Sequence, residues 1–320
     1  MSTLKINDLQ ALVQAAWSRR KAEVQKNDWQ AFRLINDLGD GIGGLTVDYY
    51  AGAWHAVLRN SEANYPQILP KLLESFESLS GELHVDPPLK IFWTKNTLQQ
   101  KAKAQKQTEE IKIIRERDLQ FRIKLGSELH TGLFLDQRDN RQRIRKQAAG
   151  KKVLNLFSYT GAFSIAALKG NAAEVHSVDL SRHYLEDLQN NLKLNGVDEN
   201  KAFNYAQDVF IFLKQQAQKQ QKFDLIILDP PSFSKSKAMT FSTEKNLATL
   251  VDASLSLLSE KGKMFFSINT QKLRPKDFHE QIKAAIGMRR FKILESLSPP
   301  FDFPAQDPNN PHLKACWIGS

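Results

Sequence analysis

In 153-VLNLFSYTGAFSIAALKG-170 a short run of strand-forming residues, VLNLFS, enters a turn carrying one glycine, Gly161, and leaves it as a helix of small apolar residues over 162–169. A strand this continuously apolar belongs in a sheet covered on both faces, and the helix after it supplies one cover.

The same unit repeats downstream. EVHSVD (174–179) leads to a helix opened by Ser181, with Leu185, Leu188 and Leu192 on one face and Asn195-Gly196 as its stop. A strand ending at Asp208, a helix over 209–219, FDLIILD (223–229), a helix over 245–258, GKMFFSIN (262–269) and a helix near 275–287 continue the alternation. Alternating strands and helices imply right-handed crossovers and an α/β fold with a doubly wound, mostly parallel sheet. FKILESLS (291–298) and HLKACWIG (312–319) are joined only by 299-PPFDFPAQDPNNP-311, so they are expected to pair antiparallel at one edge.

Upstream the character differs. LKINDLQALVQAAWSRRKAEVQKNDWQ (4–30) has helical spacing and two tryptophans, Trp17 and Trp29, to pack. FRLINDLGDGIGGLTVDYY (32–50) is β-rich and punctuated by Gly39, Gly41, Gly43 and Gly44. GDGIGG imitates a dinucleotide loop, but LTVDYY follows where a helix would have to begin, so hairpin turns are the reading. A strand at 53–60, a helix near 66–78, a strand at 89–95 and a basic, glutamine-rich solvated connector from Thr97 to about Lys112 follow. The expected organisation is an N-terminal helix (1–30), a smaller β-rich α+β domain (31–115) that accepts substrate, and the α/β domain (116–320).

Bulk properties narrow the function. No window approaches ~18 uninterrupted apolar residues and the N-terminus lacks a signal-peptide layout, so the expectation is a cytoplasmic protein without a membrane partner. The single cysteine, Cys316, excludes an intrachain disulfide and any multi-cysteine metal site, and the seven scattered histidines suggest no metal centre. A formal net charge of +10 favours a polyanionic partner, with nucleic acid foremost.

Ligands of an open α/β sheet lie beyond the carboxyl ends of its strands. Those ends carry Asn155 to Gly161, with Phe157, Ser158, Tyr159 and Thr160 between, then Asp179 with Leu180 and Ser181, then Asp208 and Asp229. Each aspartate alone would serve as a helix cap. Together they favour a nucleoside-bearing cofactor, Asp179 being placed for ribose hydroxyls and Asp208 for adenine. One glycine in the first loop is too few for a pyrophosphate cradle, so S-adenosylmethionine leads and NAD is the weaker possibility. The corner 228-LDPPSFSKSK-237 fixes φ twice and leaves carbonyls without local donors. Asp229, Pro230, Pro231 and Phe233 there suit a flipped-out base, with Lys235 and Lys237 for the RNA backbone. The competing reading is that Pro-Pro merely stops the strand and Phe233 fills core.

Taken together, NLFSYTGAFS, SVDLSRHYLE, NLKLNG, LDPPSFSKSK and 131-TGLFLDQRDNR-141 resemble the class I, Rossmann-like methyltransferases of bacterial large-subunit ribosomal RNA, the RlmI and RlmK group. The resemblance is dense from Gly126 to Ser320 and looser over 33–50. It implies S-adenosylmethionine as cofactor, 23S rRNA or a ribosomal assembly intermediate as partner, and Phe134, Asp136, Gln137 and Arg138 as a loop closing over the cofactor. The group's RlmI branch begins with a PUA RNA-binding domain, for which residues 4–30 are too short. Its Ser-Cys-Ser nucleophile segment reads 266-FSINTQK-272 in this chain, and Asn269 resembles the RlmK branch, which implies methylation of guanine N7. The alternatives are a 5-methylcytosine enzyme using Cys316, an RNA-binding protein without turnover, and a nucleotide-dependent oxidoreductase. An edge strand leaves a homodimer possible.

Overall fold

A computed structural model describes residues 9–59, 65–83, 90–96, 109–126, 130–235 and 240–320. The chain divides into two compact units, the first comprising 1–136 with 300–308, the second 137–299 with 309–320.

In the first unit, α1 (Leu9–Asn27) precedes β1 (Ala31–Asn36), β2 (Leu45–Tyr50), β3 (Ala53–Arg59), α2 (Tyr65–Leu83) and β4 (Lys90–Asn96). The sheet order is β1-β2-β3-β4, with β1/β2 and β2/β3 antiparallel and β3/β4 parallel across the α2 crossover. Leu9, Val13, Ala16, Trp17 and Val24 of α1 share one buried cluster with Phe32, Val47, Trp54 and Phe76, so the N-terminal helix is part of this unit's core rather than an appendage. Trp17 packs on Phe32 at 5.9 Å and its indole N–H donates to Glu82 at 2.7 Å, which satisfies the one polar atom of a buried ring. The glycine-rich stretch turns β1 into β2, with Gly41 in the left-handed region at φ 80°.

A two-stranded ribbon, β5 (Glu110–Glu116) and β6 (Leu119–Leu125), follows. The end of the expected connector is therefore strand, and residues 97–108 lie outside the described residues. The expected domain boundary at 115/116 falls inside β5, whose register with β6 runs unbroken from Glu110 to Glu116, whereas the compact division lies at 136/137.

Residues 300–308, expected to be a plain sheet-edge connection, pack within the first unit. Asp302 is fully buried, its carboxylate accepts the Arg33 amide at 3.0 Å, and its carbonyl accepts the Arg20 guanidinium at 3.0 Å. Asn36 donates to the Pro304 carbonyl at 2.8 Å. A Cβ on Gly39 would stand 1.9 Å from that same oxygen, so only glycine fits there.

The second unit starts with α3 (Arg138–Gln147) and then alternates: β7 (Lys152–Leu156), α4 (Ala162–Lys169), β8 (Glu174–Asp179), α5 (Arg182–Leu194), β9 (Ala202–Ala206), α6 (Val209–Gln218) and β10 (Phe223–Leu228). A short hairpin, β11 (Phe233–Lys235) with β12 (Thr240–Ser242), leads to α7 (Thr243–Ser256), β13 (Leu258–Asn269), α8 (Pro275–Ile286), β14 (Lys292–Leu297) and β15 (Leu313–Gly319). The sheet order is β14-β15-β13-β10-β7-β8-β9. From β9 to β13 all pairings are parallel, while β15 runs antiparallel between β13 and β14. The expected antiparallel pair is present, with β14 as the edge strand. The central strands are apolar on both faces: Leu154, Ile226, Leu228, Met264 and Phe266 on one and Val153, Leu225, Ile227 and Phe265 on the other are fully buried, each such side chain stabilising the fold by about 1.5–3 kcal/mol. The chain steps from β7 outward to β8 and β9 and returns at β10 on the other side, so the switch point of the winding lies between β7 and β10.

Candidate active site at the switch point

The loop from β7 into α4 departs from ordinary backbone geometry. Phe157 and Tyr159 take positive φ values of 58° and 49°, and Gly161 follows at 81°. Non-glycine residues held there cost on the order of 1–3 kcal/mol each and persist where the surroundings enforce them. The enforcement is visible: the Ser158 amide donates to Val178 O at 3.0 Å, the Tyr159 amide to the Asp179 carboxylate at 2.9 Å, and Asn191 to Thr160 O at 3.1 Å. A Cβ on Gly161 would lie 2.4 Å from Leu188 Cγ, which presses α5 against this turn. Ser158 is buried, yet its hydroxyl has no hydrogen-bond partner. A buried hydroxyl left unpaired is costly and marks a place where a ligand atom is wanted.

Asp179 ends β8. Its second oxygen accepts the Ser181 amide at 2.9 Å, so the carboxylate braces both the β7–α4 loop and the start of α5. Burial pushes its pKa up, while the Ser181, Tyr159 and Leu180 amides pull it down. Leu180 beside it is 51% exposed, a large apolar side chain open at a strand end. Ser181 caps α5, accepting the Tyr184 amide at 3.3 Å. Asp208 likewise caps α6 through the Phe210 and Ile211 amides, which is its helix-cap reading. Asn155 points its amide at Ser164 at 2.8 Å inside the core.

Asp229, at the end of β10, accepts hydrogen bonds from two neutral side chains. Ser267 Oγ donates to its Oδ1 at 2.6 Å, and Gln137 Nε2 donates to the same oxygen at 3.1 Å. Gln137 also reaches Ser267 at 3.1 Å, and Asn140 donates to its Oε1 at 2.7 Å. Sequence reasoning gave Gln137 to the cofactor and missed Ser267; the available signal was a hydroxyl within the apolar strand 264-MFFSIN-269. Phe233, 62% exposed, does not fill core. Ser232 donates to Asn269 O at 2.9 Å, which ties the Pro-Pro corner to the end of β13. That end is secured further by the Thr270 amide on His312 O at 2.8 Å and by Lys314 Nζ on Thr270 O at 2.7 Å. Burial lowers the Lys314 ammonium to about 8. No pattern in the sequence singles out Lys314, whose charge is hidden in the HLKACWIG strand.

Pro230 is buried and Pro231 exposed. Strand β11 includes Lys235, whereas Lys237 lies outside the described residues. Phe134 and Asp136 belong to the first unit; the Phe134 ring is 5.4 Å from that of His130, and Asp136 is buried. Arg138 opens α3 and is 3% exposed, a buried cation within an arginine-rich helix. Cys316 is fully buried on β15 opposite Phe266, and burial pushes its thiol up to about 12. Among the described residues no group of histidine, cysteine and carboxylate side chains is arranged to hold a metal, and no helix is long and apolar enough to cross a membrane.

Comparison with known proteins agrees with this geometry. A family profile described as S-adenosylmethionine-dependent methyltransferase matches residues 102–318. Ribosomal RNA large subunit methyltransferase K of Neisseria meningitidis is 34% identical over 308 residues, covering 94% of this chain and 82% of that protein. Ribosomal RNA large subunit methyltransferase I of Aeromonas salmonicida is 31% identical over 302 residues, covering 90% and 74%. Among solved structures, a Streptococcus mutans protein named as a SAM-dependent methyltransferase superposes with a TM-score of 0.85 at 29% identity, covering all of this chain and 83% of that one. Another, described as a complex with SAH, gives 0.84 at 28% over the same coverage. The chain is an S-adenosylmethionine-dependent enzyme and belongs to the methyltransferase family of the RlmI and RlmK group.

Proposed function

We propose that the protein methylates a guanine of 23S ribosomal RNA at N7, in naked RNA or in an assembling large subunit within the cytoplasm. The names of the relatives, both ribosomal RNA large subunit methyltransferases, and the charge of +10 support an RNA substrate. The observation that carries the choice of atom is Cys316. Methylation of cytosine at carbon 5 needs a thiolate to add to the ring, and a fully buried thiol with its pKa pushed to about 12 supplies none near pH 7. No other cysteine exists in the chain. Guanine N7 needs no such nucleophile, because its own lone pair attacks; the C–S bond breaks, its electrons return to sulfur, and no proton has to leave.

The strained β7–α4 loop fits the cofactor. Bound S-adenosylmethionine supplies an electrophilic methyl group on its sulfonium. The Ser158 hydroxyl meets the polar end, Asp179, held in place by the Tyr159 and Ser181 amides, serves the ribose with its remaining lone pairs, and the exposed Leu180 gives the adenine an apolar face. Asp208 and Ser181 contribute mainly by starting their helices at this rim. For Phe134, Asp136 and Arg138 the cofactor role rests on the resemblance.

On the acceptor side, Phe233 stacks on the extruded base, while Asp229 and the Pro230-Pro231 corner fix its edge. Asn269, exposed where β13 ends, is held there by Ser232. The protein's work is then alignment of donor and acceptor and exclusion of water. Lys235 and Lys237 take the RNA backbone nearby.

The test is mass spectrometry of nucleosides from 23S rRNA, free and in assembling particles, after incubation with labelled S-adenosylmethionine. Label in 7-methylguanosine is expected. Label in 5-methylcytidine overturns the acceptor and the dismissal of Cys316, and RNA binding without label makes this a binding protein.

A further inference from the structure

We infer that Lys314 is a positioning residue for the methyl transfer, its ammonium locking the segment 269–272 against which the acceptor base is received. The inference rests on the proposed function, which puts that base at the ends of β10 and β13.

Past the end of β13 the chain runs at the surface, with the side chains of Asn269, Gln271 and Lys272 exposed. Its backbone is nonetheless fixed carbonyl by carbonyl. Asn269 O accepts from Ser232 Oγ at 2.9 Å, Thr270 O from Lys314 Nζ at 2.7 Å and Gln271 O from Asn310 Nδ2 at 3.2 Å. The Thr270 amide donates to His312 O at 2.8 Å, and the Lys272 amide to Thr270 Oγ1 at 3.2 Å. Surface segments ordinarily leave many such groups to water and stay mobile. Here three successive carbonyls are taken by side chains distant in sequence.

Lys314 is the node of this arrangement. Its Nζ also donates to Pro311 O, so one ammonium ties the residues after β13 to those before β15. Register sets Lys314 opposite Ile268, and the next residues on its face, Cys316 and Ile318, belong to the apolar core. Lys314 is 4% exposed, and among the described residues no carboxylate pairs with it. Burial lowers its pKa from 10.5 to about 8. A buried ammonium without a counter-ion is costly, and a methionine of similar length would fill the space without that cost. What the charge adds is strength in two hydrogen bonds, since charge-assisted bonds are roughly twice as strong as neutral ones. That strength falls on the segment that carries Asn269 and that Ser232 joins to the Asp229 and Phe233 corner. There a misplacement of about 1 Å costs on the order of a hundredfold in rate, so rigidity is what the ammonium supplies.

The experiment measures kcat and KM for S-adenosylmethionine with 23S rRNA in the parent, Lys314→Met and Lys314→Arg, with calorimetric affinity for S-adenosylhomocysteine as the control for folding. Lys314→Met fills the same space without donors and is expected to lower kcat about tenfold to a hundredfold, with the S-adenosylmethionine KM and the S-adenosylhomocysteine affinity unchanged. Lys314→Arg restores charge and donors and is expected to recover part of the loss. Asn310→Ala, which releases only the Gln271 carbonyl, keeps the inference testable should Lys314→Met fail to fold; its kcat is expected to fall about threefold. A kcat equal to the parent's in the folded variants overturns the inference. So does a loss of kcat matched by an equal loss of cofactor-product affinity, which would make Lys314 a prop of the whole unit. In both cases a parent that labels 23S rRNA leaves the proposed function standing. A parent that labels no rRNA overturns the proposed function, and the inference with it.

Discussion

Both units bury charged side chains, but they dispose of them in opposite ways. In the first unit the guanidinium groups of buried Arg20 and part-buried Arg33 each meet a carboxylate. Arg20, 1% exposed, donates to both oxygens of Asp40 at 3.0 and 2.7 Å and to three carbonyls. Arg33 meets Asp48 in a two-pronged contact at 2.5 and 2.9 Å while its guanidinium lies 4.7 Å from the Phe303 ring. Burial works against the Arg33 charge, but Asp48, with Tyr50 and Asp136 behind it, holds it more firmly than usual. In the second unit the strand ends carry a buried hydroxyl without a partner, positive φ at Phe157 and Tyr159, and a carboxylate held by Ser267 and Gln137. Paired buried ions brace a scaffold, whereas a buried hydroxyl without a partner, set beside enforced backbone strain at the carboxyl ends of the strands, marks a ligand site.

The sharpest way to break this contrast is Asp40→Ala, which leaves the buried Arg20 guanidinium without its counter-ion. Removing one partner of such a pair costs on the order of 3–5 kcal/mol. Urea denaturation should show that loss, while the fraction that stays folded keeps its affinity for S-adenosylhomocysteine. A loss below about 1 kcal/mol would mean the pair behaves as a surface contact.

Next in size is a pH effect confined to the first unit. His55 is 2% exposed and its Nε2 has no partner. Burial lowers its pKa from 6.5 to about 4, with Arg33 and His130 lowering it further and Asp48 opposing. A folded value below the unfolded one means the stabilisation is complete above pH 6.5 and lost as the pH falls toward 4, in total about 3 kcal/mol. His55→Gln should flatten this part of the stability profile measured by denaturant melts between pH 7 and 4. An unaltered slope would assign the acid sensitivity to the carboxylates.

Much of this was legible in the sequence, for reasons that differ by region. The β7-to-α8 alternation announces itself because buried parallel strands are continuous apolar runs such as LIIL, and Ser181 and Asp208 are strong helix starters. The loop 299–311 reads as a plain connection because nothing in its own residues states that Asp302 meets Arg33 and Arg20, partners more than two hundred residues away. β5 looks like solvated connector because Ile111 and Ile113 are interleaved with charges. Ser267 and Lys314 are invisible for the same reason: their partners, Asp229 and the Thr270 carbonyl, are set by tertiary placement and not by spacing.

A third variant tests the strained loop itself. Gly161→Ala must carry a side chain at φ 81° and push on Leu188 Cγ from 2.4 Å. The expected stability loss is about 2 kcal/mol, with weaker S-adenosylhomocysteine binding by calorimetry. Adding Leu188→Ala should relieve the overlap without restoring the backbone preference, so affinity should recover only in part. Full recovery would show that packing, and not the left-handed turn, is what the glycine serves.

The smallest effect is the most discriminating. Ser267→Ala removes a 2.6 Å hydrogen bond to Asp229 and keeps the Gln137 amide on the same oxygen at 3.1 Å. A bond of this kind is worth about 1 kcal/mol, roughly fivefold in rate if it is felt in the transition state. If Asp229 faces the acceptor, as the proposed function has it, kcat should fall while KM for S-adenosylmethionine stays put. Gln137→Ala should do the same, and because Gln137 also donates to Ser267 at 3.1 Å, the two losses should not add. Additive losses would mean that the residues act on separate steps. A rise in the S-adenosylmethionine KM would mean that Gln137 serves the cofactor, and the line between donor side and acceptor side would then have to be redrawn through Asp229 itself.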